Sequence, residues 1–102
     1  RVYGVEPYIG DAIQGLKCME YMDELPPYVD LSLITERTFC RSAEANAAAR
    51  RLLEKESIFA GQSSGAVVHR VLELARDMER GNIVMVLPDG GWKYLSLDIW
   101  DV

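Results

Sequence analysis

The residues with the most chemistry per position lie in the run Gly61-Gln62-Ser63-Ser64-Gly65-Ala66. Glycines let the backbone turn tightly and let another group approach closely. A helix that starts here has first-turn N–H groups without intrahelical partners, at the positive end of its dipole. A serine at such a place can cap the helix, bind a ligand or act as a nucleophile.

The sequence itself tests the last of these uses. Gly61-Gln62-Ser63-Ser64-Gly65 fits the G-x-S-x-G elbow of α/β-hydrolases, in which an acid follows the serine and the histidine comes last. The only histidine is His69, just beyond Ser63 and ahead of Asp89, Asp98 and Asp101. A histidine on the helix leaving the elbow is badly placed to serve that serine, so the general base is missing and hydrolysis falls behind. Metal ligation lacks a second histidine and a Cys-x-x-Cys pair, so no metal site is expected and His69 reads as a surface or edge residue. Glu54, Glu56, Glu73, Asp77 and Glu79 read as solvated helix faces. Cys18 and Cys40 read as two reduced cytosolic thiols.

These residues need elements to hold them. Val2–Val5 reads as a short buried strand stopped by Glu6-Pro7. Residues 8–30 are mostly loop, with one helical turn around Met19. Residues 33–39 suit a second strand. Ser42 is placed as a helix N-cap, with Ala45, Ala48, Ala49, Leu52 and Leu53 forming the apolar stripe behind it. That helix should end near Glu56-Ser57. Ile58-Phe59-Ala60 reads as a brief strand, and Gly61–Gly65 as the turn into a second helix. Its apolar face is Val67, Val68, Val71, Leu72, Ala75 and Met78, with Gly81 as a left-handed cap. Ile83–Leu87 is apolar throughout, as in a parallel strand covered on both faces, and Pro88-Asp89-Gly90-Gly91 ends it. The expected class is α/β, a three-layer domain with a mostly parallel sheet and flanking helices.

Composition sets the outer bounds. The 102 residues are 49% apolar and 26% charged, which suits one globular domain and no more. The net charge is −5 and the basic residues are dispersed, so nucleic acid is not an expected partner. No apolar run is long enough to span a bilayer. The chain opens at Arg1 directly on a strand-like stretch, which reads as a fragment or a processed chain.

Taken in order, the whole chain is more specific than any one motif. Val5-Glu6-Pro7 is followed by Ile13-Gln14-Gly15-Leu16, by Ala49-Arg50-Arg51-Leu52-Leu53, and by Glu56-Ser57-Ile58-Phe59-Ala60-Gly61. Ser63-Ser64-Gly65-Ala66, Ile83–Asp89 and Tyr94-Leu95-Ser96 complete the series. This pattern resembles the C-terminal third of the cysteine synthase and cystathionine β-synthase family, the fold-type II pyridoxal-phosphate enzymes, from about residue 2 to residue 97. The resemblance implies that residues 1–102 are a single partial domain of a cytoplasmic, homodimeric β-replacement enzyme. That enzyme would make L-cysteine from O-acetylserine or O-phosphoserine and a sulfur donor, with a small sulfur-carrier protein as a possible partner. It implies that Ser63 hydrogen-bonds the pyridine nitrogen of pyridoxal phosphate and that Pro88 and Asp89 lie beside the ring. A neutral hydroxyl stabilises a protonated ring less than a carboxylate does, which suits β-elimination and β-replacement better than transamination. The Ile13-Gln14-Gly15 loop would line the substrate side. Lys17 would meet a substrate phosphate there, or is a solvated loop lysine.

Three things depart from the family pattern, the first being Leu16-Lys17-Cys18-Met19 where many sulfhydrylases continue with glycine after Ile-Gln-Gly-Ile. Relatives usually have glycine where this chain has Ser57, and serine in a left-handed conformation costs ~1 kcal/mol. The Schiff-base lysine and the phosphate cradle are missing, since Lys17, Lys55 and Lys93 lack the family's lysine context, so no catalytic residue is expected in this chain and the chain alone should be inactive. The other readings are a docking or folding module, one chain of a split enzyme, and, within the fold, cystathionine β-synthase or serine/threonine dehydratase chemistry.

Overall fold

The structure is a computed structural model that describes residues 1–100. Two strands, β1 (Tyr3–Pro7) and β2 (Glu36–Cys40), pair in parallel, with Tyr3 opposite Glu36 and Pro7 opposite Cys40. Parallel neighbours need a long crossover, and residues 8–35 supply it as loop with two single 3-10 turns, Met19–Tyr21 and Leu31–Leu33. The second strand therefore starts later than residues 33–39 suggest, because Asp30 caps the Leu31–Leu33 turn by accepting from the Ser32 N–H at 3.0 Å.

After β2 the chain enters α1 (Ser42–Glu56) and then α2 (Gln62–Arg76); the two helices pack on each other, and α2 packs on both strands. Alanine is the best helix former, and Ala45, Ala48 and Ala49 with Leu52 give α1 a thin buried stripe. Leu53, expected in that stripe, lies on the exposed side. Thin side chains let backbones come close. A side chain on Gly65 of α2 would strike the carbonyl oxygen of Ala45, so glycine is required at this crossing. The core falls into two clusters. Ile13, Cys40, Ala45 and Ala66 form one, and Ala48, Leu52, Ala60 and Val68 form the other.

Helix ends depart from the sequence reading at two points. Ser42 is the first helical residue rather than the cap, and its N–H donates to Asp11 Oδ2 at 2.7 Å. A carboxylate from the loop does what a local serine was expected to do. α2 stops at Arg76 with Asp77 right-handed, so Gly81 (φ +139°) and Met78 lie beyond the helix. The end of α1 is as expected. Ser57 sits at φ 58°, ψ 29°, and its N–H bonds the Leu53 carbonyl at 3.0 Å.

The class is α/β with a parallel pair, as expected, but two expected strands form no ladder. Ile58–Ala60 is reduced to one antiparallel bridge, Ala60 to Gly90, and Ile83–Leu87 has no strand partner among the described residues. An apolar run takes up strand pairing only where another edge reaches it.

One ion pair ties β1, β2 and the long crossover together. Glu6, almost fully buried, accepts from Arg37 Nε and Nη2 at 2.7 and 2.9 Å and from the Met19 N–H at 2.8 Å. Burial alone would raise its carboxyl pKa, but the Arg37 and Met19 bonds outweigh it and hold the group below the ordinary 4.5. A lowered folded pKa gives stability that is full above pH 4.5 and lost as pH falls through the folded value. Glu6→Gln is expected to cost about 2 kcal/mol at pH 7, discounted because Arg37 is partly exposed, and to flatten the acid limb of a urea-melt series. An unchanged acid limb would show that the pair does not carry that dependence. Ser57→Gly is expected to stabilise by ~1 kcal/mol, or about 4–8 °C in a thermal melt.

Candidate functional site

The start of α2 is pinned by the corner that follows Ile83–Leu87. Gly61 N–H donates to the Asp89 carbonyl at 2.9 Å, Ser64 Oγ donates to the same oxygen at 3.3 Å, and Gly91 N–H donates to the Phe59 carbonyl at 3.0 Å. The Pro88-Asp89 corner and the Gly61–Ala66 run, distant in sequence, therefore form one unit. From the other side comes the Gln14-Gly15 turn. Gln14 N–H donates to Gln62 Oε1 at 2.8 Å, and Gln62 Nε2 donates to Asn46 Oδ1 of α1 at 2.8 Å. Gly15 has φ +89°, a left-handed value that side chains resist, and any side chain there would meet Ser63 Oγ at 3.2 Å. Three of the sequence-predicted site residues, Gly15, Ser63 and Asp89, are thus brought together.

Ser63 is 0% exposed, and among the described residues its buried Oγ has no hydrogen-bond partner, a state shared by Arg70 Nε and Trp100 Nε1. Such a group costs about 1–3 kcal/mol, so it is a standing demand for an acceptor or donor. His69 does not supply one. Its Nε2 lies 2.6 Å from a Glu73 carboxylate oxygen and 3.7 Å from one of Glu44, turned to those groups and not to Ser63, so no hydrolase arrangement forms among the described residues. The same histidine brings Cys40 and Glu44 ligand atoms within 4.8 Å of one another and of itself. Burial first, then Glu44, Glu73 and Asp11, push the Cys40 thiol up to about 12.

Tyr94 is the residue that spacing alone could not find. Its ring packs on Gly61, where any side chain would meet Cε2 at 2.6 Å, and its hydroxyl donates to Asp89 Oδ2. Lys93 Nζ adds a 3.0 Å contact to Asp89 Oδ1. Tyr94 first and Lys93 second hold the Asp89 carboxyl below its usual range, so it is a fixed anion at neutral pH. The signal for Tyr94 was the family-like ending Tyr94-Leu95-Ser96, which gave no role.

Beyond Gly15 a hollow of about 570 Å³ opens, with Asp11, Gln14, Gly15, Lys17, Tyr21 and Glu24 on its wall. Lys17 is exposed and makes no ion pair among the described residues. Ser63 is not on that wall. The Gly15 turn stands between hydroxyl and hollow, a partition one backbone thick.

No family model matches the chain. Over 101 residues it is 41% identical to a cysteine synthase of Aquifex aeolicus, covering 94% of this chain and 31% of that protein. Its structure is similar to that of O-ureido-L-serine synthase, with a TM-score of 0.83 and 32% identity over 99% of this chain and 34% of that one. An O-acetylserine dependent cystathionine β-synthase from Helicobacter pylori gives a TM-score of 0.80 at 26% identity, over 98% and 35%. The chain spans about a third of the length of the curated relatives it matches.

The Asp89 carboxylate, bonded to the Tyr94 hydroxyl, raises the Tyr94 pKa above the ordinary 10. A raised folded pKa gives stability that is full below pH 10 and lost as the phenol ionises. In an ultraviolet titration one of the five tyrosines should ionise late, and Asp89→Asn should return it to the ordinary range. Five indistinguishable tyrosines would contradict the bond.

Proposed function

Since this chain belongs to the cysteine synthase family, we propose that it is the portion of a pyridoxal-phosphate β-replacement enzyme that receives the pyridine edge of the cofactor and one side of the substrate. The observation that carries this reading is the orphaned hydroxyl of Ser63, buried at the first turn of α2. An aromatic nitrogen that accepts a hydrogen bond is the partner this donor lacks, and with the hydroxyl 0% exposed the Gly15 turn must shift to admit a ring. Pro88 and Asp89 would flank the ring, and the Gly15 turn would form the wall between ring and substrate.

The cofactor, when bound, supplies an electron sink that makes the substrate's Cα proton acidic and lets the group on Cβ depart. The chain's own residues set its strength and access. Ser63 donates to the ring nitrogen without protonating it, which keeps the sink moderate and favours replacement at Cβ over transamination. Asp89 is kept off that nitrogen by its bonds to Tyr94 and Lys93, so no carboxylate competes for the serine's place. Gly15 brings only backbone to the partition, so a flat ring can lie close. Lys17, unpaired on the hollow's wall, would meet the anionic leaving group of an O-activated serine. The parent would be a cytoplasmic homodimer that takes sulfur from sulfide or a small carrier protein. The three lysines here are Lys17, Lys55 and Lys93, and the covalent lysine would come from outside these residues.

The test is L-cysteine formation by the full-length parent from O-acetylserine or O-phosphoserine with sulfide. Use of either is expected, and use of neither overturns the reading. Ser63→Ala in that protein is expected to lower kcat/KM about ten-fold, the worth of ~1.4 kcal/mol from one buried hydrogen bond. Lys17→Ala should raise KM for O-phosphoserine more than for O-acetylserine if the phosphate role holds. The 102-residue chain alone is expected to form no cysteine.

A further inference from the structure

The fold brings Cys40, Glu44 and His69 to one point. Cys40 ends β2, Glu44 lies in the first turn of α1, and His69 is on α2. One ligand atom from each, the Cys40 Sγ, a Glu44 carboxylate oxygen and a His69 ring nitrogen, lies within 4.8 Å of the other two. Sequence spacing hides this set, because it holds the only histidine and no Cys-x-x-Cys pair. His69 follows Gly65 by about one helical turn, so the close crossing of α2 over Ala45 fixes where its ring stands. Its Nε2 is 3.7 Å from Glu44 Oε2. Around a tetrahedral zinc ion, nitrogen and oxygen ligands bound at about 2.0–2.2 Å sit roughly 3.4 Å apart, so this edge is nearly formed. Glu44 is already oriented, since its Oε2 accepts from the Arg41 N–H at 2.9 Å.

We infer that Cys40, Glu44 and His69 form a binding site for a divalent transition-metal ion of the zinc class, one that ties the end of β2 to both helices. The donors are one sulfur, one imidazole nitrogen and one carboxylate oxygen. That set suits zinc or cobalt and not magnesium or calcium, which take oxygen ligands. The charges also close. One thiolate and one carboxylate neutralise a divalent ion, and a neutral imidazole adds nothing. On binding, a metal–sulfur bond replaces the Sγ–H bond and the proton leaves to solvent, because a coordinating thiol is deprotonated outright. The imidazole binds through Nε2 with its proton on Nδ1, so its 2.6 Å contact with Glu73 is given up. Glu73 keeps Arg70, whose Nη1 lies 3.1 Å from its other oxygen, and stays outside the set. Cys40 is enclosed, while the side chains of His69 and Glu44 are 28% and 40% exposed. The metal therefore enters from the helix side, and water takes its fourth position. The inference rests neither on family membership nor on the β-replacement chemistry.

The test uses the full-length parent, stripped of metal by a chelator and kept reduced. Cobalt(II) is expected to give a near-ultraviolet thiolate-to-cobalt charge-transfer band and the strong visible bands of tetrahedral cobalt. Zinc should displace it and raise the melting temperature, and chelation should reverse both. Cys40→Ala and His69→Ala should each remove the band at the same cobalt concentration and weaken zinc binding about 100-fold, and Glu44→Gln about ten-fold. Cys18→Ala should keep the band. His69→Ala alters a partly exposed side chain, so it reports even if the enclosed Cys40 tolerates no change. A packed thiol beside a surface histidine would do none of this. No cobalt band, or a band that survives either alanine variant, overturns the inference, as does equal zinc affinity in the parent and His69→Ala. None of these readouts uses cysteine formation, so they stand even if the parent turns over no O-activated serine.

Discussion

The contact on which the arrangement depends is the backbone approach of the two helices at Gly65, where α2 touches the Ala45 carbonyl of α1. Interhelical separation follows from the side chains between the axes, and alanine and glycine make it small. That closeness sets where α2 begins. With Gly65 held against α1, Ser63 is driven inward, Gln62 reaches Asn46 on α1, and the Gln14-Gly15 turn is drawn down on both. A larger residue at position 65 would push the helices apart and loosen every one of these bonds.

The site is assembled from backbone more than from side chains. Asp89 holds the motif through its carbonyl, and its carboxylate is occupied by Tyr94 and Lys93. Gly15 contributes only its conformation. The hydroxyl at its centre is left unpaired, and unpaired buried groups in folded proteins are rare enough to require a reason. A hydrogen-bond acceptor from outside these residues would supply the partner it lacks.

Local patterns carried the helices well, because alanine spacing in α1 and the valine stripe in α2 are decided within a few residues. Ser57 was legible for the same reason, as a short-range ending that needs one left-handed residue. Caps and strands were less legible. The α1 cap came from Asp11, far upstream, which no local signature announces. Ile83–Leu87 has every mark of a buried strand, yet pairing depends on an edge that these residues do not supply. Ser63 and Asp89 were found through order along the chain, and Gly15 joined them through the same resemblance. Tyr94, whose hydroxyl binds Asp89, had only its position in a familiar ending to recommend it.

Cys40 adds a consequence for a family that handles sulfur. A thiol with a pKa of about 12 is only ~0.001% thiolate at neutral pH, and Cys40 is wholly enclosed. Cys18 is enclosed as well. Sulfide cleaves an accessible disulfide into one persulfide and one released thiolate. With both of its thiols shut away, this chain offers such exchange no accessible cysteine.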